Sequence, residues 1–192
     1  MKIYQLKITL VGSKPPIWRR FLVKSDTLLS DLHLIIQTTM GWTNSHLHQF
    51  IIGNDSFQPD YEGMDDDGYS QPYTDKHLND FLKKENSKIV YEYDFGDSWN
   101  HAIVLEKVLE EEKGTFYPTC ITGKNACPVE DCGGIWGYED LVKVLKNKKH
   151  PEHTEMKEWV GLEEDEDFDP TEFDKEHINE SLKSENFGVF EF

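Results

Sequence analysis

The sequence predicts an α+β fold: a mixed β-sheet of about five strands, opened by a β-grasp (ubiquitin-like) β-β-α-β unit, with helices on one side and a helical C-terminal region. Three observations lead there. The N-terminal stretch alternates apolar and polar residues, turns, alternates again, moves to helical spacing and then returns to period two. "KIVYEYDFGDSWNHAIVLEKV", residues 88–108, sets two alternating arms around one glycine. The last third carries apolar residues at helical spacing.

The elements follow in order. In "MKIYQLKITL", Tyr4, Leu6, Ile8 and Leu10 alternate with polar residues, as a half-buried strand requires. "VGSKPP" turns the chain, and Ile17–Val23 resumes a strand pattern, so the two runs form an antiparallel hairpin. Ser25 or Thr27 can cap the next helix, whose face carries Leu29, Leu32, Ile35, Ile36 and Met40 and which Gly41 stops. Ser45–Ile52 returns to period two, placing His46 and His48 on one strand face, with His33 in the preceding helix. A long acidic loop of Gly, Pro and Asp follows, then a short helix over 77–84 and the hairpin arms 89–95 and 101–108. Beyond residue 111 the chain loses periodicity before helical turns at 138–147, 154–161 and 169–183, the last with Asp169 as cap and Pro170 in first position. The organisation is one domain over 1–192: a β-grasp-like unit (1–57), an acidic loop (58–76), a helix and hairpin (77–110), and a cysteine-containing loop with C-terminal helices (111–192).

Composition bounds the chemistry. Asp and Glu number 37 against 20 Lys and Arg, a formal charge of −17 that disfavours direct nucleic-acid binding. The basic pair Arg19-Arg20 reads as a solvated face. No apolar run approaches the roughly 20 residues that span a bilayer, so no membrane partner is expected. Three cysteines are too few for a disulfide framework, which points to a reducing cytoplasm. "DDDG" at Asp65–Gly68 resembles the middle of a calcium loop but lacks an acidic first ligand and a Glu at the twelfth position.

Two metal sets present themselves. Cys120, Cys127 and Cys132, with His150 or His153, have the donors of a tetrahedral zinc site, zinc being the one cofactor the composition suggests; the alternative is three free thiols. His46, His48 and His101, with Asp94 or Asp97, have those of a mixed N/O site if their strands are adjacent; the alternative is hydrogen-bonded histidines on a half-buried sheet. Glu130 and Asp131, in "CPVEDCGG", either aim a carboxylate into a cleft or serve a tight backbone turn. Gly96-Asp97-Ser98 reads as the hairpin turn, with Asp97 bonding to backbone two residues on. Asp94 and His101 flank that turn, where a cross-strand contact would raise the imidazole pKa, and with Asp97 they are the catalytic candidates.

The blocks "PPIWRRFLV", "LHLIIQTTMGWTNSHLHQF", "YEYDFGDSWNHAIVLEKV", "YPTCITGKNACPVEDCGG", "GYEDL" and "FDPTEFDKEHIN" resemble those of the plasmid Ri ORF-3-like family, also labelled insertion-element passenger TnpR-like, in that family's order. Val129 stands where the family carries a second proline. The resemblance implies an α+β prokaryotic protein associated with mobile elements, with no established activity. A resolvase is not implied by the residues, since Arg19 and Arg20 are the only arginines available to stabilise phosphate charge. The function expected is therefore a non-catalytic binding or accessory module that contacts a protein or peptide, with Trp18, Trp42, His46, His48 and Trp99 as binding residues. The alternative is a metal-dependent enzyme, hydrolytic in type, built on the His/Asp cluster.

Overall fold

A computed structural model describes residues 1–60 and 70–189. Its centre is one mixed sheet of eight strands, not five. These are β1 (Lys2–Leu10), β2 (Trp18–Lys24), β3 (His48–Ile52), β4 (Asp55–Gln58), β5 (Ser70–Pro72), β6 (Lys88–Tyr93), β7 (Trp99–Glu110) and β8 (Thr119–Lys124), in the spatial order β5-β4-β3-β6-β7-β1-β2-β8. The three additional strands come from segments read as loop. β4 folds back on β3, β5 runs parallel to β4, and β8 extends the other edge beside β2. All three are short edge or near-edge strands whose geometry comes from pairing with a neighbour, and their Gly-, Pro- and Asp-rich surroundings hide that from periodicity.

The two hairpins form as expected, Ile3–Thr9 opposite Trp18–Lys24 and Lys88–Tyr93 opposite Trp99–Val104. The ββαβ order is present, but β3 is separated from β1 by two strands, β6 and β7. Asp65–Gly68 and the middle of the acidic loop fall at 61–69, outside the described residues.

Helix α1 (Leu29–Met40) buries Leu29, Leu32, Ile35, Ile36 and Met40 against Leu6, Ile8, Phe21, Phe50 and Tyr91 of the sheet. Completely burying one such aliphatic side chain contributes roughly 1.5–3 kcal/mol, so this face is a principal source of stability. Gly41 ends the helix in the left-handed conformation, φ 86°, where its lack of Cβ removes the steric penalty. Neither Ser25 nor Thr27 caps its start. Leu28 is the N-cap, and the Leu29 N–H donates instead to the Lys76 carbonyl at 2.9 Å, tying the helix to the segment before α2 (Leu78–Phe81).

The C-terminal region supplies α3 (Gly134–Lys146), α4 (His153–Trp159) and α5 (Lys175–Ser181). α5 starts later than the sequence pattern suggests. Asp174 caps it, accepting from the His177 N–H at 2.9 Å, whereas Asp169 accepts from Thr171 in a preceding turn. The arginines are not a solvated face. Arg19 is buried, while Arg20 pairs with Glu106 on the outer side of the sheet.

Candidate functional site

Three connections meet at one end of the sheet: the α1–β3 loop (42–47), the β6–β7 turn (94–98) and the β8–α3 loop (125–133). Short polar contacts join them. The Trp42 indole Nε1–H donates to the Pro128 carbonyl at 2.9 Å, and the Thr43 backbone N–H and hydroxyl donate to Glu130 Oε2 at 3.0 and 2.7 Å. Tyr93 donates its hydroxyl proton to Glu130 Oε1 at 2.5 Å; burial, first, and then this carboxylate push its phenol pKa far up, so the hydroxyl stays protonated. The Asp94 N–H donates to the Leu47 carbonyl at 2.8 Å, and Asp97 Oδ2 accepts from the Gly133 N–H at 3.1 Å. The residue that bonds to backbone two positions on is thus Asp94, whose Oδ1 accepts from Gly96 at 2.9 Å, while Asp97 ties two loops together.

Into this end project His46, Asp94 and Asp131, each bringing one ligand atom within 4.8 Å of the other two. His46 Nε2 stands 3.3 Å from Asp131 Oδ1, and His46 Nδ1 stands 3.8 Å from Asp94 Oδ2. Asp94 and Asp131 both hold left-handed backbone, φ 57° and 61°, a conformation that short polar side chains tolerate and that aims their carboxylates across the loops. Both readings of "CPVEDCGG" have a counterpart in the geometry: Glu130 and Asp131 face the neighbouring loops, and Gly134 lets the backbone pass close to Asp97.

Other candidates are separated. His46 lies in the loop ahead of β3 and does not share a strand face with His48. His48 stacks on His33 instead, ring centroids 3.5 Å apart and planes parallel within 1°, and its Nε2 lies 2.6 Å from the Tyr73 hydroxyl. His33 in turn contacts the Tyr91 hydroxyl at 2.8 Å and Asn44 Oδ1 at 2.7 Å. Burial lowers the His33 pKa to about 4, and burial, together with the adjacent His33, lowers that of His48 to about 2; both rings are neutral in the fold.

His101 pairs across the ladder with Tyr91, not with Asp94, and is fully buried. Its ring nitrogens make no well-formed hydrogen bond among the described residues. Desolvation lowers its pKa to about 4, the nearby Tyr91 and Trp99 backbone offsetting only part of that effect. The expected carboxylate–imidazole contact, with its raised pKa, is therefore absent, because the turn swings Asp94 out of register and towards His46.

The cysteines also stay apart. Cys120 sits beneath α5, its backbone bonded to Asn179, and Cys127 Sγ accepts from Arg19 Nη2 at 2.9 Å. Cys132 precedes α3 while His150 and His153 follow it, His153 lying against the Val144 carbonyl in the last turns of that helix. Burial lifts the three thiols to about 11, 11 and 12, so none is a ready thiolate ligand or nucleophile in this arrangement.

Of the tryptophans, Trp42 and Trp99 belong to the core and are unavailable to a partner. Trp18 lies half-buried on the outer sheet face, with Lys7 and Arg20 over its ring. The exposed ones are Trp136 and Trp159, 79% and 47% accessible. Trp159 closes a cavity of about 320 Å³ between α3 and α4, with Leu141, Val144 and Met156 as its other apolar walls. Asp131, Asp140 and Glu152 supply carboxylates around it. Sequence reading passes over this groove, although Met156 and Trp159 are three apart on a helix in an acidic neighbourhood.

The family described as plasmid pRiA4b ORF-3-like protein matches residues 2–177. The chain belongs to that family. It is 32% identical over 184 residues to the uncharacterized protein y4hQ of Sinorhizobium fredii, covering 94% of this chain and 90% of the relative. It also resembles the crystal structure of a protein of unknown function, MM3350 from Methanosarcina mazei Go1, with a TM-score of 0.81 at 38% identity, covering 92% of this chain and 96% of that one. The chain thus shares its fold with MM3350, and neither relative is assigned an activity.

Proposed function

We propose that this plasmid ORF-3-like protein is a non-catalytic binding module that holds a protein or peptide segment in the acid-rimmed groove between α3 and α4. The observation that carries the reading is the pairing of Trp159 and Met156 with carboxylates in one cavity. An apolar floor desolvates an anchoring side chain, and tryptophan is the residue type most enriched where such anchors dominate affinity. The rim then selects charge. Glu152 and Asp131 are well exposed, Asp140 shares its carboxylate with Lys143, and the chain as a whole carries −17, so the favoured occupant presents Lys or Arg beside an aromatic or aliphatic residue. Trp136, one turn before Asp140 on α3, extends the apolar surface beyond the cavity.

The test is to pan a random-peptide display library against the full chain and measure the selected peptides by fluorescence polarisation. Enrichment of Lys/Arg next to an apolar residue is expected, with affinity falling at least about tenfold in Trp159→Ala, as for an interface anchor. Affinity should also weaken with added salt, because the rim contribution is electrostatic. Peptides that bind Trp159→Ala and Glu152→Lys as tightly as the parent chain would rule out this groove.

A further inference from the structure

We infer that His46, Asp94 and Asp131 form a binding site for a single divalent transition-metal ion of the zinc type. The inference is independent of the peptide groove, although Asp131 borders both. It starts from charge. Asp94 is buried to 8% exposure, and the only basic group paired with it or with Asp131 among the described residues is His46. Glu130 and Asp97 bring two further carboxylates into the same loops, where they are held by hydroxyl and backbone donors. Carboxylates gathered at one end of a chain of charge −17 repel one another, and a bound cation is the simplest means of relieving that repulsion.

The donor atoms supply the second argument. His46 Nε2 is shielded from solvent and lacks a hydrogen-bond partner among the described residues, although Asp131 Oδ1 faces it at 3.3 Å. A ligand pair on a tetrahedral zinc ion, with bonds of about 2.1 Å, stands about 3.4 Å apart. That pair already has the required spacing. Asp94 completes the set within 4.8 Å, and Asp131, with 70% of its side chain exposed, can close the remaining distance by rotating about its own bonds. One imidazole with two carboxylates favours zinc, and manganese next, over magnesium or calcium, which prefer oxygen alone. The ion would bridge the three loops already joined by Asp94 to Leu47, Glu130 to Thr43 and Asp97 to Gly133.

Binding of Zn²⁺ to untagged, chelator-stripped full-length chain, followed by calorimetry, tests the site. Co²⁺ provides a visible-absorption readout of coordination. One equivalent of Zn²⁺ is expected, undisturbed by millimolar Mg²⁺, with affinity falling at least tenfold in His46→Gln and in Asp131→Asn. Asparagine accepts the left-handed backbone at position 131, so the second variant keeps the fold even if the first does not. Absence of Zn²⁺ binding by the parent chain would overturn the site. So would unchanged affinity in Asp131→Asn, or a loss confined to Cys127→Ser and Cys132→Ser.

Discussion

At the scale of single residues, Arg19 shows how far a local motif can differ from its place in the fold. Adjacent arginines in a strand suggest a surface, yet Arg19 is only 3% exposed. Its Nε donates to the Thr39 carbonyl at 2.9 Å, and its Nη1 donates to the carbonyls of Trp18 and Lys124 at 3.0 and 3.1 Å. Nη2 reaches Cys127, and the guanidinium lies 4.8 Å from the Phe173 ring centroid. A single planar group thereby ties β2, the end of α1, β8 and the loop after it. Lysine carries the same charge but lacks the fixed fork, so it can serve only part of that acceptor set. Arg19→Lys is expected to lose on the order of 3 kcal/mol of stability, the cost of leaving buried acceptors without donors. Urea unfolding of the two proteins measures it, and a loss below about 0.5 kcal/mol, typical of surface positions, would show that the fork is dispensable.

At the scale of elements, α3 is set by how closely its first turn meets the preceding loop. The Gly137 N–H donates to the Gly133 carbonyl at 3.2 Å, and an added Cβ at Gly137 would overlap the Cys132 carbonyl oxygen. Gly134 is equally confined, since a Cβ there would stand 2.7 Å from the Asp97 carbonyl oxygen of the β6–β7 turn. The glycines of "CGGIWGY" thus let a helix start pack directly on two stretches of backbone. In an exposed helix interior, glycine to alanine is worth roughly 1 kcal/mol of added stability. Gly137→Ala should reverse that sign and cost on the order of 2–3 kcal/mol, because backbone must move to admit the methyl group. Thermal melts of Gly137→Ala beside the parent chain measure this cost, and since position 137 has no positive φ the loss would report the overlap with the Cys132 carbonyl rather than backbone strain. A melting temperature equal to or above that of the parent chain would refute the steric account.

At the scale of the whole molecule, legibility follows the range of the interaction that creates each feature. β1, β2, α1 and the β6–β7 hairpin are readable because their own periodicity selects the buried face: Leu6 and Ile8, Leu32 and Ile36, Tyr91 and Ile103 all point inward as spaced. β4, β5 and β8 are not, because pairing with β3, β4 and β2 makes them strands. His46 and Asp94 are visible as reactive residues, but their convergence with Asp131 depends on three loops meeting, and the burial of Trp99 against the exposure of Trp136 depends on the whole sheet. The same long-range packing governs the response to pH. His33, His48 and His101 are held neutral, with pKa values of about 4, 2 and 4 against an ordinary value of 6.5. Below pH 6.5 the unfolded chain takes up protons that the folded chain refuses. Their contribution is thus complete above pH 6.5 and is lost as the pH falls through 6.5 towards each folded value, by about 1.4 kcal/mol per pH unit for each group. Replacing His101 by leucine removes one such group from a buried site beside Trp42 and Tyr91. Relative to the parent chain, His101→Leu should therefore gain roughly 2 kcal/mol on going from pH 8 to pH 5, whatever its stability at pH 8. Paired urea titrations at the two pH values measure that difference, and a stability change indifferent to pH would mean that His101 takes up its proton as readily in the folded as in the unfolded chain, contrary to its burial.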